Sequence, residues 1–108
     1  MEAGYYKSST ALEASHVFLA KECTLLGVTG YNSSASDQYI QIHDAATLPN
    51  DGAVPSIAPL KAYAGTSFSF SVPVRGVELT NGLVVCNSST PDTKTIGSAN
   101  CLFTAIFT

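Results

Sequence analysis

Two histidines, three cysteines and eight acids are the side chains of this 108-residue chain that could attack a bond, move a proton or hold a metal. His43 and Asp44 adjoin, as a base and its orienting acid could, but neighbours on a strand point to opposite faces, so the spacing implies no hydrogen bond between them. There is no G-x-S-x-G elbow, no glycine-rich phosphate loop and no acid–histidine pair at helical spacing. His43 reads as an exposed strand residue and His16 as a packing residue, and the chain is expected not to be an enzyme.

Asp37, Asp44, Asp51 and Asp92 stand singly rather than in a D-x-D-x-D-G calcium array, and Asn50-Asp51-Gly52 reads as a turn. No metal and no cofactor is expected. Cys23, Cys86 and Cys101, separated by 63 and 15 positions, match no zinc-ligand spacing. They are either three buried thiols or one thiol plus a Cys86–Cys101 bridge, should those strands lie side by side. Asn32 and Asn87 each open an Asn-Ser-Ser triplet, a glycosylation pattern. The opening residues, M-E-A-G-Y-Y-K-S-S, have no apolar core of signal-peptide length, so synthesis in a cytoplasm is expected and the triplets read as turns.

Only 12% of residues are charged, about half the usual share, whereas 45% are apolar. Thirteen serines and eleven threonines supply the polar half of the pattern. The surface must be nearly neutral. With a net charge of −3 there is no basic stripe for phosphates, and no apolar run reaches the length of a membrane span, so neither nucleic acid nor membrane is expected as a partner.

Those residues are carried by short runs of two-residue alternation cut by Gly, Pro, Asn and Asp. The pattern predicts an all-β fold, a small antiparallel β-sandwich or jelly roll over residues 11–108, with residues 1–10 as a flexible or partner-bound arm. Ser67–Val74 puts Phe68, Phe70, Val72 and Val74 on one face and three serines and Pro73 on the other, Pro73 marking an edge or an end. Gln38–Asp44 turns Ile40 and Ile42 inward, leaving Tyr39, Gln41 and His43 to line an outer surface. Thr24–Tyr31 is expected to be its hairpin partner across the turn Asn32–Asp37. A strand is predicted over His16–Ala20, in competition with a short helix suggested by the capping-box spacing Thr10-Ala11-Leu12-Glu13. Residues Ala45–Pro59 form a long loop before a strand near Leu60–Tyr63. Leu83–Cys86 and Cys101–Phe107 are apolar on both faces, so either the sandwich or a neighbouring subunit must cover them.

The stretches Gly30–Ala35, Tyr39–Asp44, Leu48–Pro55, Val85–Thr90 and Lys94–Gly97 resemble small virion proteins of tailed bacteriophages. That resemblance spans roughly Leu25 to Phe107 in loop and strand sequence and carries no catalytic signature. It implies a β-sandwich or jelly roll assembled on a capsid or tail, located in the virion. The expected function is a capsid decoration or cement protein, a homo-oligomer with a trimer favoured, bound to the major capsid protein or another virion protein. The expected contacts are Tyr5 and Tyr6 in the arm and Leu48, Asn50 and Asp51 in the loop. The competing expectation is a tail- or fibre-associated glycan-binding module using Tyr39, Gln41 and His43, with Tyr31 and Tyr63 as further aromatic platforms.

Overall fold

Alternating apolar and hydroxyl side chains suit a pleated chain with one dry face, and turn formers at short intervals keep each run short. The computed structural model describes residues 5–54, 56–57, 59–72 and 75–108. Among them lie nine strands and no helix: β1 (Tyr5–Ser8), β2 (Ser15–Leu19), β3 (Cys23–Asn32), β4 (Gln38–His43), β5 (Leu60–Ala62), β6 (Thr66–Ser71), β7 (Val77–Leu79), β8 (Leu83–Ser88) and β9 (Cys101–Phe107). They form two antiparallel sheets. One runs β1-β9-β3-β6, with β7 also on β3, and the other runs β2-β8-β4-β5. The chain is the β-sandwich that the alternation predicts.

The core fills the gap between the sheets. Leu25, Val28, Phe103, Ala105 and Phe107 from the first meet Phe18, Ile40, Ile42, Leu83 and Val85 from the second. Each large side chain so buried stabilises the fold by about 1.5–3 kcal/mol relative to exposure. The Phe68 and Phe103 rings pack tilted, with centroids 6.3 Å apart.

Two expectations change and two open alternatives are resolved, the strand predicted over His16–Ala20 being β2 (Ser15–Leu19). First, β3 and β4 are strands, as the pattern requires, but not a hairpin: β3 lies between β9 and β6, and β4 lies between β8 and β5. Both strands present an apolar row, and the rows are buried together when the strands face each other across the core. Asn32 holds the crossing, its Nδ2 donating to the carbonyls of Ser36 (3.1 Å) and Ala62 (2.9 Å) while its Oδ1 accepts from Ser34 N.

Second, Cys86 and Cys101 lie on strands of different sheets, and all three cysteines are free thiols. Third, Tyr5–Ser8 is no loose arm, because those residues pair with β9 from Phe107 to Thr104; residues 1–4 lie outside the described residues. Fourth, the capping-box spacing opens no helix. Instead Glu13 bridges Cys101, and its carboxylate takes His16 Nδ1 at 2.9 Å. Strand β6 ends at Ser71, short of Pro73 and Val74, which lie outside the described residues.

Candidate functional site

Each sheet has one face turned away from the core, and the two outer faces differ in kind. On the β2-β8-β4-β5 sheet, the register sets Gln41 beside Cys86 and His43 beside Val84. Tyr39, Gln41 and His43 do share that outer side, as the alternation requires, but they do not line a surface. Gln41 and His43 are each 1% exposed, and Tyr39 is half-buried. This corrects the expected glycan platform. The cover comes from the chain's own loops, residues 45–54, 56–57 and 89–96.

The seal is polar and specific. Gln41 Nε2 donates to the carbonyls of Thr90 (3.1 Å) and Thr93 (2.9 Å). With its nitrogen so engaged, its Oε1 is the acceptor for His43 at 3.2 Å, which puts a hydrogen on His43 Nε2. Ser88 Oγ accepts from Thr95 N (3.0 Å) and donates to Thr90 O (2.8 Å). The two loops are clasped by paired backbone bonds between Gly52 and Lys94, 2.9 and 2.8 Å long. Lys94 is 2% exposed, and its Nζ reaches Asp51 Oδ1 at 2.6 Å, holding the aspartate below the usual carboxylate range. Beneath this lid burial pushes the Cys86 thiol up to about 11, with Asp51 adding to the rise and Lys94 opposing it.

Of the expected contact residues, Asp51 is therefore committed to Lys94, Leu48 is half-buried and Asn50 is exposed in the same loop. Tyr6 lies on the other sheet and Tyr5 continues its strand, so the structure does not bring the expected set together. A cleft of about 230 Å³ opens beside the loop, lined by His43, Asp44, Ala45, Pro49, Val54, Ser56 and Ile57. A second, of about 320 Å³, is lined by Glu22, Cys23, Thr24, Glu78, Leu79, Thr80 and Thr108. Among the described residues no group of three or more His, Cys, Asp and Glu comes together as a metal would need.

Among the described residues nothing covers the outer face of the β1-β9-β3-β6 sheet in this way. The register lays three rows across its strands. Ser8, Thr104, Thr29 and Ser69 form a central row of hydroxyls, with Ser8 Oγ 2.8 Å from Thr104 Oγ1. On one side run Tyr6, Ile106, Gly27 and Ser71, and on the other Leu102, Tyr31 and Ser67. Tyr6, Ile106, Leu102 and Tyr31 are all exposed, Tyr6 to 72%. No row carries a charge. In register the nearest acids are Glu13, opposite Cys101 and bonded to His16, and Glu78, opposite Thr24 toward the far end of β3. The alternation of Leu102, Thr104 and Ile106 marks this side in the sequence, but only the strand order reveals that Tyr6, Thr29 and Tyr31 join it.

No protein-family model matches the chain, and no curated protein matches it. Among solved structures, the coat protein of Tobacco streak virus is similar over 97% of this chain and 86% of that chain. The identity is 13% and the TM-score 0.46, too loose a likeness to carry a statement about role.

Proposed function

We propose that this chain is a structural protein of a virus particle, a decoration or cement protein laid on the outer head surface of a tailed bacteriophage. The observation that carries the reading is the contrast between the two outer faces. One is covered over β4 and β8 by the chain's own loops through directed hydrogen bonds, with Val17 on β2 left 42% exposed, and the other is, among the described residues, an uncovered and uncharged four-strand surface. A face without charges can be covered by a protein partner without desolvating unpaired ions, which is the chief cost of closing a polar interface. The sequence resemblance to small phage virion proteins supports the same role, and the role is non-enzymatic.

The test is uptake by shells. Purified chain is added to heads of the parent phage prepared without it, and the mixture is sedimented. Saturable co-sedimentation, with heads that then withstand heating better, is the expected result. Absence of the chain from the head fraction at every ratio overturns the reading.

A further inference from the structure

We infer that Asn81-Gly82, in the turn between β7 and β8, is a site of spontaneous deamidation, and that Asp44 restrains it by gripping the turn.

The pair is imposed by packing. Gly82 is buried at φ +154°, a conformation that residues with side chains rarely adopt, and a Cβ there would overlap the carbonyl oxygen of Leu19 and crowd that of Ala45. Glycine is therefore required, and it leaves the backbone nitrogen after Asn81 unshielded. Asn81 itself is exposed, so water reaches its side-chain amide. None of the other four asparagines combines these conditions. Asn32 and Asn87 are buried and followed by serine, and their Nδ2 groups donate to the carbonyls of Ala62 and Ser98. Asn50 and Asn100 precede Asp51 and Cys101, whose side chains crowd the nitrogen that would attack.

The chemistry needs only water. The Gly82 nitrogen, on losing its proton to solvent base, bonds to Asn81 Cγ; the bond from Cγ to the side-chain nitrogen breaks, ammonia leaves and a succinimide ring closes. Water then opens the ring at either carbonyl, giving aspartate or isoaspartate. An amide has become a carboxylic acid, and the isoaspartate form also inserts a methylene into the main chain between β7 and β8.

Asp44 opposes the attack in two ways. Its Oδ2 accepts from Thr80 N (3.1 Å), and its Oδ1 accepts from Asn81 N (2.8 Å) and Gly82 N (3.3 Å). The proton that must leave Gly82 is thus one that the carboxylate holds, and a negative charge beside it disfavours a nitrogen anion. Ring closure must also rotate the chain between Asn81 and Gly82, and the bonds to Asp44 pin the nitrogens on both sides of that rotation. The product brings a second carboxylate to a turn that Asp44 already occupies.

Native wild type, wild type unfolded in guanidinium chloride and the variants Asp44→Ala, Asp44→Asn and Asp51→Ala are held in near-neutral buffer at about 37 °C, and peptide mapping by mass spectrometry follows each asparagine. Asn81 is expected to convert ahead of the other four, yielding both aspartate and isoaspartate. Native wild type is expected to convert at least about tenfold more slowly than the unfolded chain, and Asp44→Ala at least about fivefold faster than native wild type, as loss of hydrogen bonds to a charged group allows. Asp44→Asn keeps an oxygen to accept the N–H groups and is expected to fall between wild type and Asp44→Ala. Asp51→Ala, weakened at the distant loop clasp, is expected to keep the wild-type rate, which separates release of this turn from general loosening. Circular dichroism identifies the variants that fold. Another asparagine converting first, a product without isoaspartate, a folded Asp44→Ala no faster than wild type, or an Asp51→Ala as fast as Asp44→Ala overturns the inference. Should Asp44→Ala not fold, Asp44→Asn decides, and a rate equal to that of native wild type overturns the restraint.

Discussion

The Lys94 ammonium lies 2.6 Å from Asp51 Oδ1, and only the aspartate reaches solvent: Lys94 is 2% exposed, whereas the Asp51 side chain is 49% exposed. One loop thus inserts its cation beneath the other and is held there. A buried charge that loses its partner is strongly destabilising, while an apolar side chain of similar length in its place is often tolerated. Asp51→Ala is therefore expected to lower the urea midpoint, and adding Lys94→Met is expected to recover most of the loss. An unchanged midpoint in Asp51→Ala would show that the clasp contributes no stability.

Asp44 gives the fold a pH dependence. Burial raises its carboxyl, but the backbone N–H groups of Asn81 (2.8 Å), Thr80 (3.1 Å) and Gly82 (3.3 Å) outweigh it and leave it below the usual range. Asp51 is lowered as well, chiefly by Lys94. A folded-state value below the unfolded one, about 3.9, means that the unfolded chain binds more protons in acid. Their stabilisation is complete above the unfolded value and is lost as pH falls through the folded ones. Their contribution to the urea midpoint is expected to be constant from about pH 7 to 5 and to fall below about pH 4, so that Asp44→Asn shows a shallower fall than the wild type in that acid range.

Thiol chemistry separates the three cysteines. Cys86 and Cys101 are fully buried, whereas Cys23 is half-buried beside a cleft; burial raises all three thiols, Cys86 to about 11. Alkylation at about pH 8 followed by mass spectrometry is expected to modify Cys23 first and the other two only on unfolding. Rapid labelling of Cys86 in the folded protein contradicts the sealed lid.

The strands were legible because a period of two is visible in one dimension: Phe68, Ile40 and Ile42 turn inward as read, whereas Cys101–Phe107, apolar on both faces, buries Phe103 and Phe107 and leaves Leu102 and Ile106 exposed. Pairing was not legible, because it depends on which apolar rows meet in space. Thus β3 and β4 look like a hairpin until both rows are seen to face one core. Gln41 and His43 failed for a related reason. Alternation gives the side of a sheet and cannot tell whether a distant loop folds over it, and Lys94, the residue that locks that loop, stands among serines and threonines with no spacing to mark it.

Gly97 is needed for close approach. A Cβ there would overlap Asn87 Oδ1 and come within 2.7 Å of Gln38 Oε1. Both oxygens are buried and accept no hydrogen bond from the described residues. Gly97→Ala is expected to cost about 1–3 kcal/mol in thermal or urea unfolding, as overpacking does. Gln38→Met removes an unpaired acceptor and is expected to leave stability unchanged or higher.

Removing residues 1–8 deletes β1 and with it the four residue pairings it makes with β9. At about 0.2–1 kcal/mol per cross-strand pair, the truncated chain is expected to lose about 1–4 kcal/mol. Particle-binding tests on such a truncation therefore need a melting curve beside them.

The same pairing has a mechanical side. Tyr5 stands opposite Phe107, so positions far apart along the chain emerge together at one corner of the sheet. Traction applied between them peels the β1–β9 ladder rung by rung instead of shearing all its bonds at once. On a particle that swells or hardens, a tether at that corner would yield gradually and early, while the eight remaining strands kept their grip.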